Sequence, residues 1–268
     1  MVSLQAFGGV LPQQPDDANC FGNAAAAQME RMVADFGRMY RERNEALQEV
    51  AHAHHEALLR LARAAEYRND DTGVHIVRLG CLSHLLALRL GEHPAFAELL
   101  RKAAPMHDTG KIGVPDGLLK KPGELTPQER AVLNQHPLIG AEILGRSRIP
   151  LFQLAAEVAL THHERFDGTG YPKALGGAAI PMSGRIVAVV DFFDALTMDC
   201  CYREAYPDAI ALEMLAAERG KGFDPRVVDC FLAHADEVVA LRDRINLSGL
   251  GFNDLSDDAP LFAMPPKV

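Results

Sequence analysis

Two adjacent imidazoles, His162-His163, open the run His162-His163-Glu164-Arg165-Phe166-Asp167-Gly168-Thr169-Gly170-Tyr171-Pro172. Packing gains little from neighbouring histidines, because every ring nitrogen needs a partner. A metal gains much, because neutral imidazole is the commonest side-chain ligand. Four other stations carry residues of the same kind: Asp71 with His75, His107-Asp108, His136 and Asp191. Together they offer five imidazoles and three carboxylates, a nitrogen–oxygen donor set without thiolate. Such a set suits iron, manganese, nickel or zinc, and not a structural thiolate-zinc site. Eight donors exceed what one ion takes, so the expectation is a cluster with a carboxylate such as Asp108 as the bridge. Paired ions about 3.5–4 Å apart activate a water and stabilise both oxygens of an in-line displacement at phosphorus. Lys111, one helical turn after Asp108, supplies an ammonium for a phosphate oxygen as charge develops.

The elements must bring these stations together. Successive stations lie 26 to 32 residues apart, about the length of a helix hairpin with short loops. A chain that runs up and back returns to the same end of a bundle each time. Asp71 and His75 stand four apart, which on a helix is one face. The composition favours helices throughout. Leu79 to Leu90 is apolar and helix-prone, and Pro94 suits the first turn of a helix through Leu100. Pro105 ends or kinks that helix. Gly110 to Gly123, rich in Gly and Pro, reads as a loop. Thr126-Pro127-Gln128-Glu129 reads as an N-cap, with a helix toward Leu133. Leu151 to Leu160 is a further helix, Gly168 to Gly184 a long loop. Ile186 to Val190 fits a short buried strand, but one buried helix on to Leu196 is favoured.

Ahead of this body, residues 1–23 read as a flexible leader. Residues 24–65 hold no proline and a single glycine, Gly37, so a long helix is predicted. A heptad register fits it, with Val33, Tyr40, Leu47, His54 and Leu61 on one seam position. Phe36, Arg43, Val50, Ala57 and Ala64 take the other. That pattern predicts a homodimer through the helix, weakened by Arg43 and His54. His54-His55 is assigned to a solvated face; His52, His84, His93 and His234 go to surface or packing. Residues 66–245 form the site-bearing domain and 246–268 a loose tail.

The bulk numbers exclude several classes. A chain of 268 residues with 48% hydrophobic content holds one core of globular size. No apolar run approaches the roughly 20 residues of a membrane span, and no signal peptide is visible. Five scattered cysteines imply reduced thiols and a cytoplasmic protein. A formal net charge of −9 argues against DNA or anionic membranes as partners.

Taken jointly, these segments resemble the HD-GYP family, a branch of the HD-domain phosphohydrolases. The likeness runs from about Ala62 to about Glu237. It is carried by Asp71-Thr72-Gly73-Val74-His75, by His107-Asp108-Thr109-Gly110-Lys111-Ile112-Gly113-Val114-Pro115-Asp116, by His162 to Pro172, and by Arg185 to Thr197. The resemblance implies an all-α fold, an HD-domain-like helical bundle behind the N-terminal long helix, with a site of two or three metals, iron or manganese foremost. It implies hydrolysis of cyclic di-GMP to linear pGpG, and in some members on to GMP, by attack of a metal-bridging hydroxide. By position, the metal ligands are His75, His107, Asp108, His136, His162, His163 and Asp191, with Asp71 as a further candidate. Asp108 bridges the metals and Lys111 contacts the scissile phosphate. Gly170, Tyr171 and Pro172 shape the substrate loop; Arg185 and Asp194 lie near the substrate.

Two departures stand out. Three-metal members resemble one another in having Glu where this chain has Asp71, so two metals are expected. Cys200-Cys201 replaces the usual Arg-Pro, leaving Arg203 as a substituting cation. The missing Arg, a charge-assisted bond of about 1.5–3 kcal/mol, keeps open a sensing module with little turnover. A hydrolase of another cyclic dinucleotide is the third reading. Input arrives through the N-terminal helix or from a regulatory protein partner.

Overall fold

In the computed structural model the described residues are 17–66, 73–199 and 204–247, with residues 17–23 described by backbone alone. Among them the regular structure is helical, and the only β-type pairings are two isolated bridges, Asp167 with Gly176 and Arg219 with Phe223. The all-α expectation holds. Two compact units divide between Ala51 and His52, inside the first helix, α1 (Asp17–Glu66).

The first unit contributes the earlier part of α1. Its apolar residues are exposed: Met29, Val33, Phe36, Met39, Tyr40, Leu47 and Val50 all lie more than half open. The heptad seam is therefore uncovered there. Past His52 the buried face departs from that seam. His55, Leu58, Leu59, Ala62 and Ala65 are buried, whereas Ala57 and Ala64 are exposed. The second unit claims a face one residue away, because its own core needs those side chains. His55 is 2% exposed, which corrects its assignment to a solvated face.

The second unit is a helical bundle built on α2 (Val74–Arg89), α3 (Pro94–Ala103), α7 (Pro150–Thr161) and α8 (Met182–Leu196). Gly73 supplies the left-handed start of α2, at φ 79°, a conformation glycine adopts without cost. His93 caps α3 by accepting from the Ala95 N–H, with Pro94 at the first turn. α2 packs on α3 and α8, and α7 on α3 and α8. The core holds Leu79, Leu82, Leu86, Leu100, Val158, Ile186 and Val190, all buried. Phe193 and Phe231 meet there with ring centroids 5.0 Å apart; each such burial stabilises by about 1.5–3 kcal/mol.

Between α3 and α7 the chain is less of a loop than expected. Ala104–Met106 and Thr109–Gly113 are 3₁₀ turns, and Asp116–Leu119 is a short helix, α4. The Gly/Pro content of Gly110 to Gly123 concealed the second turn and the short helix. α5 (Pro127–Leu133) has the anticipated cap, a full box in which Thr126 and Glu129 satisfy each other's backbone N–H. α6 (His136–Leu144) was not foreseen. Ile186 to Val190 is helix and not strand, and α8 begins before Gly184, so the loop after Gly168 stops at Pro181. α9 (Asp208–Ala217), α10 (Pro225–Ala233) and α11 (Ala235–Leu247) complete the bundle.

Candidate metal centre

The five stations converge, through their described residues. His75 leaves the first turn of α2, His107-Asp108 sits between two 3₁₀ turns, His136 opens α6, His162 ends α7 with His163 after it, and Asp191 projects from α8. Two groups result. Ligand atoms of Asp108, His136, His162 and His163 lie within 4.8 Å of one another, as do those of His75, His107 and Asp191. Asp108 faces both. Its Oδ1 lies 3.2 Å from His136 Nε2 and 3.8 Å from His162 Nε2; its Oδ2 lies 3.1 Å from His107 Nε2. Lys111 Nζ pairs with the same Oδ2.

Backbone and carboxylate partners orient the rings. His136 Nδ1 meets the Leu133 carbonyl at 2.8 Å, and His162 Nδ1 meets the Ala159 carbonyl at 3.0 Å. His75 Nδ1 meets Asp194 Oδ2 at 2.6 Å. In each case donation from Nδ1 leaves the Nε2 lone pair for the site, the arrangement found behind metal-bound histidines. Gly110 allows the close approach this needs. A Cβ there would stand 1.8 Å from the His136 carbonyl oxygen and 2.5 Å from Gly140 N.

The electrostatics favour a charged Asp108 carboxylate beside neutral His162 and His163. Burial would raise the Asp108 carboxyl, but Lys111 and His107 outweigh it and hold it well below the ordinary range. Burial lowers His162, and burial together with His162 lowers His163 much further. His107 moves the other way: burial opposes its protonation, but Asp108 and Asp191 beside it raise it. His107 Nδ1, His107 Nε2 and Asp108 Oδ1 are buried without a hydrogen-bond partner. Such atoms cost about 1–3 kcal/mol each unless something binds them. With mixed nitrogen and oxygen donors, the two groups fit metal ions.

The remaining site residues sort as follows. Tyr171 stacks on His163, centroids 4.8 Å apart, and its N–H donates to the His163 carbonyl at 3.2 Å. Burial pushes its hydroxyl up to about 12. The Tyr171-Pro172 peptide is cis. Gly170 tolerates no side chain, since a Cβ would lie 2.3 Å from Arg165 N. Asp194 is corrected from substrate contact to positioning. It is fully buried behind His75 and also takes Arg78 Nε at 2.6 Å, so no face remains for a ligand. Arg185 is likewise committed elsewhere, to Asp224 at 2.7 Å and the Ile180 carbonyl at 2.8 Å. Asp71, Cys200, Cys201 and Arg203 lie outside the described residues.

Two residues were missed. Arg78, buried one turn beyond His75, anchors Asp194 and Asn246; a lone Arg in an apolar helix signals a buried carboxylate partner. Glu164, 3% exposed, accepts from the N–H groups of Lys173 at 2.7 Å and Leu175 at 2.9 Å. It ties the Gly-Tyr-Pro turn to the histidine pair. Its place beside His162-His163 was the available signal.

An all-helical bundle gathering histidines and aspartates from separate helices into adjoining groups is the architecture of a metal-site α protein. The chain belongs to the HD-domain family, whose model matches residues 45–227, in its HD-GYP branch. It is 47% identical over 69% of its length to the cyclic di-GMP phosphodiesterase response regulator RpfG of Xanthomonas campestris pv. campestris, covering 49% of that protein. It is 43% identical over 70% of its length to the 3'3'-cGAMP-specific phosphodiesterase 2 of Vibrio cholerae serotype O1, covering 36% of it. The chain thus spans half or less of the length of these relatives. In fold it is similar to a V. cholerae cyclic GMP-AMP-specific phosphodiesterase, V-cGAP3. That match has a TM-score of 0.53 at 19% identity, over 73% of this chain and 52% of the other. No helix among the described residues is long and apolar enough to cross a membrane.

Proposed function

We propose that this protein is a metal-dependent phosphodiesterase that hydrolyses cyclic di-GMP to pGpG. The observation that carries the reading is Asp108, whose two oxygens face two separate ligand groups while Lys111 stands beside it. His136, His162, His163 and Asp108 would hold one ion, and His75, His107 and Asp191 the other. Iron or manganese suits these donors best, with zinc or nickel as substitutes. When bound, such ions supply Lewis acidity and water of lowered pKa at neutral pH.

The chain's own residues do the rest. Lys111 neutralises a phosphate oxygen as charge grows on it. The Nδ1 partners of His75, His136 and His162 hold the rings in one tautomer. Tyr171, held by the bond from its N–H to the His163 carbonyl, walls the site beside His163. In the reaction a water oxygen bonds to phosphorus, the bond to the ribose 3'-oxygen breaks, and that oxygen leaves with a proton. The names of the relatives support cyclic di-GMP as substrate. The 3'3'-cGAMP-specific relative supports a second reading in which cyclic GMP-AMP is also accepted. The compartment proposed is the cytoplasm. The uncovered seam of α1 supports self-association through that helix.

The test is incubation of protein loaded in turn with iron, manganese and zinc with each dinucleotide, products being separated by chromatography. Metal-dependent pGpG supports the reading. Binding of cyclic di-GMP with no product would leave a sensing module in its place.

A further inference from the structure

Helix α11 follows all five stations in the chain, and its Asn246 stands past Glu237, where the likeness to the HD-GYP family stops. The helix packs on α2, which carries His75. Val238, Arg242 and Ile245 are its buried residues, and their spacing puts them on one face. Asn246 stands one turn beyond Arg242, at the edge of the same face.

Both polar side chains of that face reach the support of the metal site. Arg242 lies over the Phe193 ring, its guanidinium carbon 5.8 Å from the centroid, and its Nη2 pairs with Asp208 of α9 at 3.0 Å. That holds α11 against α8 at the residue next to Asp194. Asn246 Oδ1 accepts from Arg78 Nη1 at 2.9 Å.

Arg78 is buried, and its fork is shared between two partners. Nε donates to Asp194 Oδ1 at 2.6 Å and Nη2 to Oδ2 at 3.0 Å. The same Oδ2 meets His75 Nδ1 at 2.6 Å. The route from α11 to the ligand thus runs from Asn246 to Arg78, on to Asp194 and on to His75. A guanidinium is rigid and planar, so a bond at one edge sets the direction of the N–H groups at the other. Asp194 is fully buried, so its carboxylate follows the guanidinium and not water. His136 and His162, in the other ligand group, are oriented by the carbonyls of Leu133 and Ala159. Their rings do not depend on α11.

We propose that Asn246 is a positioning residue for the His75 ring, acting through Arg78 and Asp194, so that α11 sets the metal affinity of the His75, His107 and Asp191 group alone. The role rests on the metal-dependent reading above and concerns one of its two ions.

The test is calorimetric titration of the full, metal-free chain with manganese and, anaerobically, with iron(II), alongside thermal melting of the metal-free protein by circular dichroism. His163→Ala, which removes a ligand of the other group, identifies the two classes of site. Asn246→Ala and Asn246→Leu should weaken the His75 class by about 3- to 10-fold. That is less than the roughly 10- to 100-fold common for a group bonded directly to a ligand, because two side chains intervene. The other class and the metal-free melting temperature should stay as in the wild type. Asn246→Asp, which keeps the acceptor, should bind metal as the wild type does. Val238→Ala, which opens space elsewhere on α11, should do the reverse of Asn246→Ala: melt lower and bind metal normally. The proposal is overturned if the Ala and Leu variants bind both ions as the wild type does, if both classes weaken in parallel with melting, or if Asn246→Asp binds as poorly as Asn246→Ala. A wild type that takes up neither manganese nor iron defeats the metal-dependent reading itself; a two-ion wild type with unchanged Asn246 variants defeats the positioning role alone.

Discussion

Asp108 is the residue whose two oxygens face both ligand groups, and on the proposed reading it is their shared ligand. Removing partners behind a metal ligand commonly costs about 10- to 100-fold in affinity or activity. Removing the shared ligand itself should cost more, so Asp108→Ala is expected to lose over ~100-fold in turnover and to lower metal content in elemental analysis. Asp194 acts at one remove, through His75. Asp194→Asn should weaken metal binding by about 10- to 100-fold, and Asp194→Ala should cost about 3–5 kcal/mol of stability, because Arg78 stays buried without its carboxylate. The pH dependence has a definite sign. Burial would raise the Asp194 carboxyl, but bonds from His75 and Arg78 hold it below its usual value of 3.8. Its contribution is therefore present above pH 3.8 and lost as pH falls through the lower folded value. Acid titration followed by circular dichroism should show the wild type unfolding at lower pH than Asp194→Asn.

The elements position these residues through a few contacts that can be tested directly. Gly110 lies against the first turn of α6. Gly110→Ala should displace His136 and destabilise by about 1–3 kcal/mol or more, the usual range for overpacking, readable as a lower denaturation midpoint. The exposed stripe of α1 gives a separate expectation. Phe36→Glu should shift the protein toward monomer in light scattering and leave the core unit's melting unchanged, since Phe36 is 64% exposed. Legibility differed by element. The stations could be read because histidine and aspartate are costly to bury without a purpose. The Thr126 cap was equally plain. Asp194 was placed at the substrate because its partners, His75 and Arg78, lie 119 and 116 residues away, and no local pattern reports that pairing. α6 was invisible because Pro137 and Gly140 interrupt the periodicity, although proline suits a first helical turn. His55 shows the same limit: a heptad fits the first part of α1, but burial past His52 is set by the body of the protein.

At the scale of the molecule, the bundle is a frame that holds two ligand groups at one end of its helices. Metal binding should then stabilise the fold by mass action. At free metal about 100-fold above the dissociation constant the gain is about 2.7 kcal/mol, which for a domain of this size corresponds to roughly 5–11 °C in Tm. Chelation should remove that increment in calorimetry, and Asp108→Ala should remove most of it without chelator. The most direct measurement of the central claim is the time course of cyclic di-GMP with manganese-loaded wild type and Asp108→Ala, products resolved by chromatography and metal content measured on the same samples. The account predicts pGpG from the wild type and almost none from the variant. Equal turnover by a variant that has lost its metal would contradict it.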